Sequence, residues 1–450
     1  MKHLLYHTYR LMYAFKKWRT RRFTPAGRAV LMGLVFTAIV GLDTKQTMAY
    51  QAFTLLLSIL ATDMLASLFF RLRFSATRSL PRFGSAGDKM QYRVVIHNRN
   101  ARMQRGLWLF ENFDDACPSY EEYRGASEPD ENRRNIIDRA FGYYRWMWLI
   151  SRKRKAAAET VFLPDLPPHS ETEVAAEITP SHRGVIRLTG LTIARSGPFG
   201  LFHACQRVEL AQSVLILPRR YELPPIDLSG SRRYQSGGVA MASSVGDSEE
   251  FVSLRDYRPG DPLRKIHWKS WAKVGKPVVK EYQDEFFLRH ALILDTFSDA
   301  ACSEALEQAV SVAASFTCQI QTQESLLDLM FVGTRAYCFT SGRGLAGTDK
   351  ILEILAGVIA CRDKTFDYLT SVVVSRAAQL SSCICVFLSW DEDRRKLVQH
   401  LRGVGIPTMV IVIGGEADSA AAVDPGPMRD KPHRFHLLNL SNIEQGLMNL

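Results

Sequence analysis

The sequence predicts an α+β multidomain protein with an N-terminal transmembrane helical hairpin, a β-sandwich-like middle domain and a C-terminal α/β domain. Three patterns in the 450 residues carry this prediction. Two apolar stretches lie close together before Arg71, short alternating segments follow Asp88, and strand-like and helix-like periods alternate from Ala291 onward. Hydrophobic residues make up 46% and charged residues 23%, values of an ordinary packed chain that exclude disordered and collagen-like classes.

The hairpin comes first. No charge falls between Ala29 and Leu42, and Asp63 alone interrupts the stretch from Thr47 to Phe70. Each stretch approaches the roughly 20 residues needed to cross a bilayer core if Arg28 snorkels. The link Asp43-Thr44-Lys45-Gln46 is short enough to force an antiparallel pair.

The net charge of +11 resides entirely before residue 83. Lys2, Arg10, Lys16, Lys17, Arg19, Arg21, Arg22 and Arg28 precede the hairpin, and Arg71, Arg73, Arg78 and Arg82 follow it. Cations on both outer flanks predict that both ends are cytoplasmic. The expected location is the cell inner membrane, multi-pass, with the bulk of the chain in the cytoplasm. Because the rest of the chain is neutral, nucleic acid is not an expected partner. Asp63 is read as pairing with an arginine near the end of its span or facing water. The eight cysteines lack metal-ligand spacing and fit buried thiols in a reducing compartment.

Alternation in Tyr92-Arg93-Val94-Val95-Ile96-His97, with further strand patterns at 107–110, 173–178, 185–188 and 213–217, predicts the sandwich. An insertion interrupts it. Its charged part runs from Glu121 to Arg134, and its aromatic part, Phe141 to Ile150, precedes Arg152-Lys153-Arg154-Lys155. The aromatic part is read as a strand of the sandwich, with a segment lying at a membrane interface as the alternative. Ser196-Gly197-Pro198-Phe199-Gly200-Leu201-Phe202 reads as a sharp turn whose phenylalanines plug the core.

Residues 249–285 mix charges, aromatics and turn formers densely. Tyr257, Trp268, Trp271 and Tyr282 in such a run indicate docking onto a surface. Leu254-Arg255-Asp256-Tyr257, Pro259-Gly260-Asp261, Arg264-Lys265-Ile266-His267-Trp268-Lys269, Ala272-Lys273 and Gly275-Lys276 resemble the signature of the domain-of-unknown-function 58 family. The resemblance implies membrane anchoring and a MoxR-type AAA+ ATPase as partner. The sequence departs from the family pattern at His267, where an acid is more usual, and at Lys273, where an arginine is. The expected partner-docking residues are Arg255, Asp256, Tyr257, Gly260, Asp261, Arg264, His267, Trp268, Lys269 and Lys276, with Arg255, Arg264, Lys269 and Lys276 facing Asp256, Asp261 and Glu281 in an ion network.

After Ala291-Leu292-Ile293-Leu294, residues Leu306, Val310, Ala313, Phe316 and Ile320 recur at helical spacing. Further strands at 327–332, 382–388 and 408–413, separated by helical segments, predict a mainly parallel, doubly wound sheet. Its order resembles a von Willebrand factor A-like domain. That resemblance implies a divalent ion, Mg²⁺ for instance, at the loop after the first strand. The loop here is Asp295-Thr296-Phe297-Ser298-Asp299, in which Phe297 offers no oxygen. Asp295, Asp299 and Asp391 are the candidate metal ligands, and no tight Mg²⁺ site is expected of them.

The domains are expected at 1–24 (basic leader), 25–72 (paired helices), 83–222 (sandwich, with the insertion near 115–160), 223–285 (signature and linker) and 286–450 (α/β). No GxxxxGK loop, GxSxG elbow or HExxH occurs, so the leading expectation is a non-enzymatic membrane-anchored adaptor or assembly factor. It would work with a MoxR-type AAA+ ATPase in envelope physiology or complex activation, and is compatible with a homo-oligomer. The alternatives are an enzyme acting on a phosphate or envelope precursor through Asp261 and His267, and metal-dependent ligand capture by the C-terminal domain.

Overall fold

Period-two alternation builds the middle of the chain. In the strand Met90–Asn98, Met90, Tyr92, Val94 and Ile96 are buried while Gln91 and Arg93 face water. The computed structural model describes residues 2–40, 47–70, 73–126, 128, 131, 134–226, 251–261, 263, 266–282, 288–298, 303–320, 325–342, 347–414 and 423–450. The chain divides into two units, Met1–Arg219 and Arg220–Leu450.

The first unit begins with α1 (Lys2–Arg22), α2 (Pro25–Val40) and α3 (Thr47–Leu68), followed by β1 (Phe74–Ser79), β2 (Phe83–Ser85), β3 (Met90–Asn98) and β4 (Leu107–Phe113). The insertion contributes α4 (Tyr120–Gly125), α5 (Ile136–Phe141) and α6 (Tyr143–Lys153). Then come β5 (Ala156–Ala158), β6 (Val161–Phe162), β7 (Glu171–Pro180), β8 (Gly184–Ser196) and β9 (His203–Leu217). One sheet runs β1-β3-β7-β5 and the other β2-β9-β8-β4-β6. Val94, Ile96 and Ile178 from the first share a core with Leu107, Leu109, Leu188, Ile193 and Ile216 from the second.

An ion pair crosses that core. Arg78 Nη2 donates to Glu111 Oε2 at 2.8 Å, and the Tyr92 hydroxyl donates to Glu111 Oε1 at 2.6 Å. Burial pushes both the Glu111 and the Tyr92 ionisations upward, while the Arg78 charge opposes it at each.

The insertion corrects the sequence reading. Residues 143–153 form a helix rather than a strand of the sandwich. Trp146, Leu149 and Ile150 of α6 are buried with Tyr6 and Tyr9 of α1 and with Tyr123. The Tyr6 and Trp146 rings meet edge-on at 5.6 Å, and the Tyr6 and Tyr9 hydroxyls donate to the Pro118 and Phe141 carbonyls, each at 3.1 Å. Tyr6, Tyr9, Tyr123 and Trp146 thus share one small core.

The multi-pass inner-membrane placement is also corrected. Among the described residues, Met48–Leu68 alone is long and apolar enough to cross a membrane. Pro25–Val40 has 16 residues, short of the span a bilayer core requires. Both apolar helices are instead fastened to the turn between β8 and β9. Asp63 of α3 is fully buried rather than facing water, and among the described residues no arginine pairs with it. It accepts from the backbone amides of Phe199, Leu201 and Phe202 at 2.9, 2.8 and 2.7 Å, a cradle of oriented N–H dipoles around a carboxylate. On the other side Thr24 Oγ1, at the start of α2, donates to the Gly200 carbonyl at 2.7 Å. Gly27 lies so close that a Cβ there would stand 2.0 Å from the Leu201 carbonyl oxygen. Phe23, Leu60, Leu201 and Phe202 close the contact.

The second unit starts with β10 (Phe251–Asp256), α7 (Trp268–Val274) and β11 (Val278–Tyr282). It continues with β12 (Leu288–Leu294), α8 (Glu304–Gln319), β13 (Ser325–Val332), β14 (Ala336–Ser341), α9 (Thr348–Ala356) and α10 (Asp367–Arg376). Then follow β15 (Ser382–Phe387), α11 (Glu392–Gly403), β16 (Thr408–Ile413), β17 (Phe435–Leu438) and α12 (Ile443–Met448). The sheet order is β14-β13-β12-β15-β16-β17, parallel throughout except for the antiparallel edge strand β14. This α/β architecture is consistent with a von Willebrand factor A-like fold. β13 and β15 are buried along their whole length, as strands covered on both faces must be. Asp328, inside β13, is held by Arg289 Nε at 2.8 Å and Thr340 Oγ1 at 2.6 Å.

Asp63→Ala leaves three amides without their acceptor. Its expected cost is about 3 kcal/mol or more of unfolding free energy, read as a lower urea midpoint for the full chain. An unchanged midpoint would show that the carboxylate is not what holds α3 to the turn.

Candidate functional site

Two clusters in the second unit hold the residues singled out in the sequence. The first is the hairpin β10–β11, an antiparallel pair in which Arg255 faces Val279 and Asp256 faces Val278. The segment joining β10 to α7 turns on Gly260, whose φ of +110° is strained for any residue with a Cβ. That turn brings Asp261 back to Arg255. Nη1 and Nη2 of the guanidinium meet the two carboxylate oxygens at 2.7 and 2.8 Å, and the Arg258 amide adds a third bond at 2.9 Å. The bidentate fork fixes the turn's orientation. Arg255 first, then the Arg258 amide, hold the Asp261 carboxyl down to about 2.

Beyond the turn, Ile266 is buried against Val279 and the His267 amide donates to the Val278 carbonyl at 2.8 Å. These contacts seat the one-helix excursion α7 on β11. His267 Nδ1 lies 2.7 Å from Ser270 Oγ, and the Tyr257 amide donates to the Pro277 carbonyl at 2.9 Å. Trp268 and Trp271 stack with centroids 5.1 Å apart and planes inclined by 19°. Trp268 is 64% exposed. Leu263 and Val274 are exposed as well, and Lys269, Lys273 and Lys276 reach solvent around them. The result is an apolar platform with a cationic rim. Asp256 is exposed. Of the expected ion network, the Arg255–Asp261 pair is seen; Arg264 and the Glu281 side chain lie outside the described residues.

The second cluster stands at the carboxyl end of the sheet. The chain runs from β12 outward to β13 and β14 on one side and then returns to β15 on the other, so the switch point falls between β12 and β15. Asp295 leaves β12 there, fully buried. Its Oδ1 accepts from the Phe297 amide at 3.0 Å and its Oδ2 from the Leu388 amide at 3.1 Å. Arg394 completes the set, with Nε and Nη2 at 3.0 and 2.9 Å from Oδ2. Asp391 caps α11 through the Arg394 amide at 3.1 Å and also pairs with the Arg394 guanidinium. The guanidinium carbon lies 4.4 Å from the centre of the Phe366 ring, which Phe297 meets edge-on at 5.6 Å. Burial drives the Asp295 carboxyl upward, and Arg394 with the two amides draws it back.

Two of the three candidate metal ligands, Asp295 and Asp391, are therefore brought together around an internal cation. Asp299 lies outside the described residues. Among the described residues no group of three or more His, Cys, Asp or Glu is arranged to hold a metal ion. Arg394 was missed in the sequence reading, though one signal was present. An arginine in the first turn of a helix opposes the helix dipole and needs a carboxylate to hold it there; Asp391 stands three residues before it.

These residues admit a comparison with known chains. Residues 253–388 match the family described as "Protein of unknown function DUF58". The match spans the hairpin platform and the sheet up to Leu388, whose amide bonds to Asp295, and it stops short of Asp391 and Arg394. A curated relative, the uncharacterized protein YeaD of Bacillus subtilis (strain 168), is 28% identical over 193 residues, 42% of this chain and 46% of that protein. The chain thus spans less than half the length of that relative.

Two solved structures share limited similarity. One is the CARDB domain of a Pyrococcus furiosus protein in complex with di-metal ions, at 12% identity over 33% of this chain and 91% of that one, with a TM-score of 0.18. The other is a Salmonella alpha-2-macroglobulin mutant, at 14% identity over 34% and 8%, with a TM-score of 0.19. Neither likeness is close enough to carry an argument.

Removing Arg394 leaves Asp295 buried without its countercharge. Arg394→Leu is expected to cost about 3–5 kcal/mol of stability, measured by denaturant unfolding, and Asp295→Asn added to it is expected to recover part of that loss. Strictly additive costs would mean the two do not act as a pair.

For Asp261 the folded-state pKa is depressed, so the turn's stabilisation is complete above the ordinary value of 3.8 and is lost as pH falls through about 2. The Trp268 contribution to fluorescence, wild type minus Trp268→Phe, is expected to stay constant from neutral pH to about 4 and to change only below that. In Asp261→Asn it is expected to be altered already at neutral pH.

Proposed function

We propose that the chain is a non-enzymatic adaptor whose hairpin platform docks a protein partner. The observation carrying this reading is the stacked Trp268–Trp271 pair, held outward by a turn whose carboxylate is fully engaged internally. Tryptophan in such a setting supplies large contact area at small conformational cost, and tryptophans surrounded by a polar rim are characteristic of interface centres. The rim of Lys269, Lys273 and Lys276 fits a partner surface rich in Asp and Glu.

The family resemblance supports a MoxR-type AAA+ ATPase as that partner, with assembly or activation of a further protein, or a role in envelope physiology, as the outcome. The enzyme alternative has less support. Asp261 directs both oxygens to Arg255 and the Arg258 amide, and His267 Nδ1 is turned toward Ser270, so each group has a local structural use. Capture of a ligand through a metal at Asp295 would have to displace Arg394 first.

The test is binding of the purified full chain to a purified MoxR-type ATPase from the same organism, by biolayer interferometry. Trp268→Ala is expected to weaken binding by about tenfold or more, equivalent to about 1.4 kcal/mol, with unfolding unchanged because Trp268 is largely exposed. Equal affinity of wild type and variant would move the docking site elsewhere. Turnover of a small substrate that is lost in His267→Ala would favour the enzyme.

A further inference from the structure

A second feature lies in the first unit, remote in sequence from the hairpin platform. Arg10, Tyr13, Lys17, Trp18 and Arg21 line one open cleft of about 370 Å³, with Asp115 in its lining beside Lys17. Along α1 they fall at i, i+3, i+7, i+8 and i+11, a single helix face. The volume is that of a small-ligand site.

The charge in this cavity is unbalanced. Lys17 is paired with Asp115 at 3.1 Å, an exposed contact of small worth. That leaves two guanidinium groups against no further lining carboxylate. Arg21 is partly withdrawn from water, and burial lowers its pKa; its Nη2 is 3.5 Å from the Glu111 carbonyl oxygen, a long contact. Lys17 and Arg21 also stand four residues apart, a like-charge spacing that disfavours the helix and that the Asp115 carboxylate on Lys17 offsets in part. α1 carries no acidic residue of its own. Tyr13 and Trp18 flank the cations with aromatic surface.

We propose that this cavity binds a phosphate-bearing small molecule, its phosphate oxygens taken by Lys17 and the Arg21 guanidinium group, with Arg10 meeting a further anionic group of the same molecule. Guanidinium offers paired N–H donors matched to phosphate geometry, and the rise of 1.5 Å per residue places Lys17 and Arg21 about 6 Å apart along the axis, with Arg10 about 10 Å beyond Lys17. One phosphate can therefore bridge Lys17 and Arg21 while Arg10 meets a second anionic group or the far side of an ester. The shared chemistry is the phosphate dianion, whether it arrives free, on a soluble ester or on a lipid headgroup.

The experiment uses the full chain and three probes: inorganic phosphate and sn-glycerol 3-phosphate by calorimetry, and co-sedimentation with phosphatidylcholine vesicles containing or lacking phosphatidic acid. The variants are Arg10→Gln, which is exposed, and Lys17→Gln; circular dichroism checks that α1 remains helical. Saturable binding of any phosphate probe that weakens about tenfold or more in Lys17→Gln, and weakens with added NaCl, supports the site, and the probe that binds identifies the source. Absence of binding in all three arms, or equal binding by wild type and both variants, overturns it.

Discussion

A carboxylate taken out of water must find donors inside the protein, and this chain meets that demand repeatedly at the places where its elements join. Asp63 finds three backbone amides of the β8–β9 turn. Glu111 finds Arg78 and Tyr92 across the sandwich, Asp328 finds Arg289 and Thr340, and Asp295 finds Arg394. Each is a contact between segments distant in sequence. Hydrophobic burial supplies the bulk of the driving force in both units, but these acids specify which segments meet, because a misplaced partner leaves a charge unpaired.

The same constraint shapes what the second unit can do. At the switch point of a doubly wound sheet a ligand is the usual occupant. Here the position next to Asp295 is taken by a side chain of the protein itself, a permanent cation with fixed geometry. Such an arrangement makes the end of the sheet a structural joint. Chemistry or recognition is then carried more readily by groups that the joint leaves free, and in this unit Trp268, Leu263, Val274, Lys269, Lys273 and Lys276 are among the outward-facing ones.

The hairpin platform shows the complementary principle. One of its carboxylates is directed inward and one of its tryptophans outward. Asp261 is closed off by Arg255, while the indole of Trp268 is left in solvent, at a hydration cost that contact with another surface would relieve. In the first unit the cations along α1 do the reverse, presenting charge toward a partly enclosed cavity. Each surface departs from ordinary patterning in one respect, and in each case the departure defines what chemistry would complete it.

Periodicity by itself determined the strands of the sandwich, the alternating elements of the α/β domain and the two apolar helices, because apolar spacing along a chain reports directly on the face an element buries. The turn at Gly260 was likewise readable, since turn residues act locally. Tertiary structure alone decided the rest. The aromatic run 141–150 has too short an apolar period to distinguish strand from helix, and only its partner helix, with Tyr6 and Tyr9, shows which it is. Asp63 in an apolar stretch reads as a membrane residue until the Phe199–Phe202 amides are seen around it. Asp295 reads as a cation ligand, and the cation proves to be Arg394, 99 residues away. The countercharge of a buried acid is chosen by folding in three dimensions, and no local spacing in the sequence encodes it.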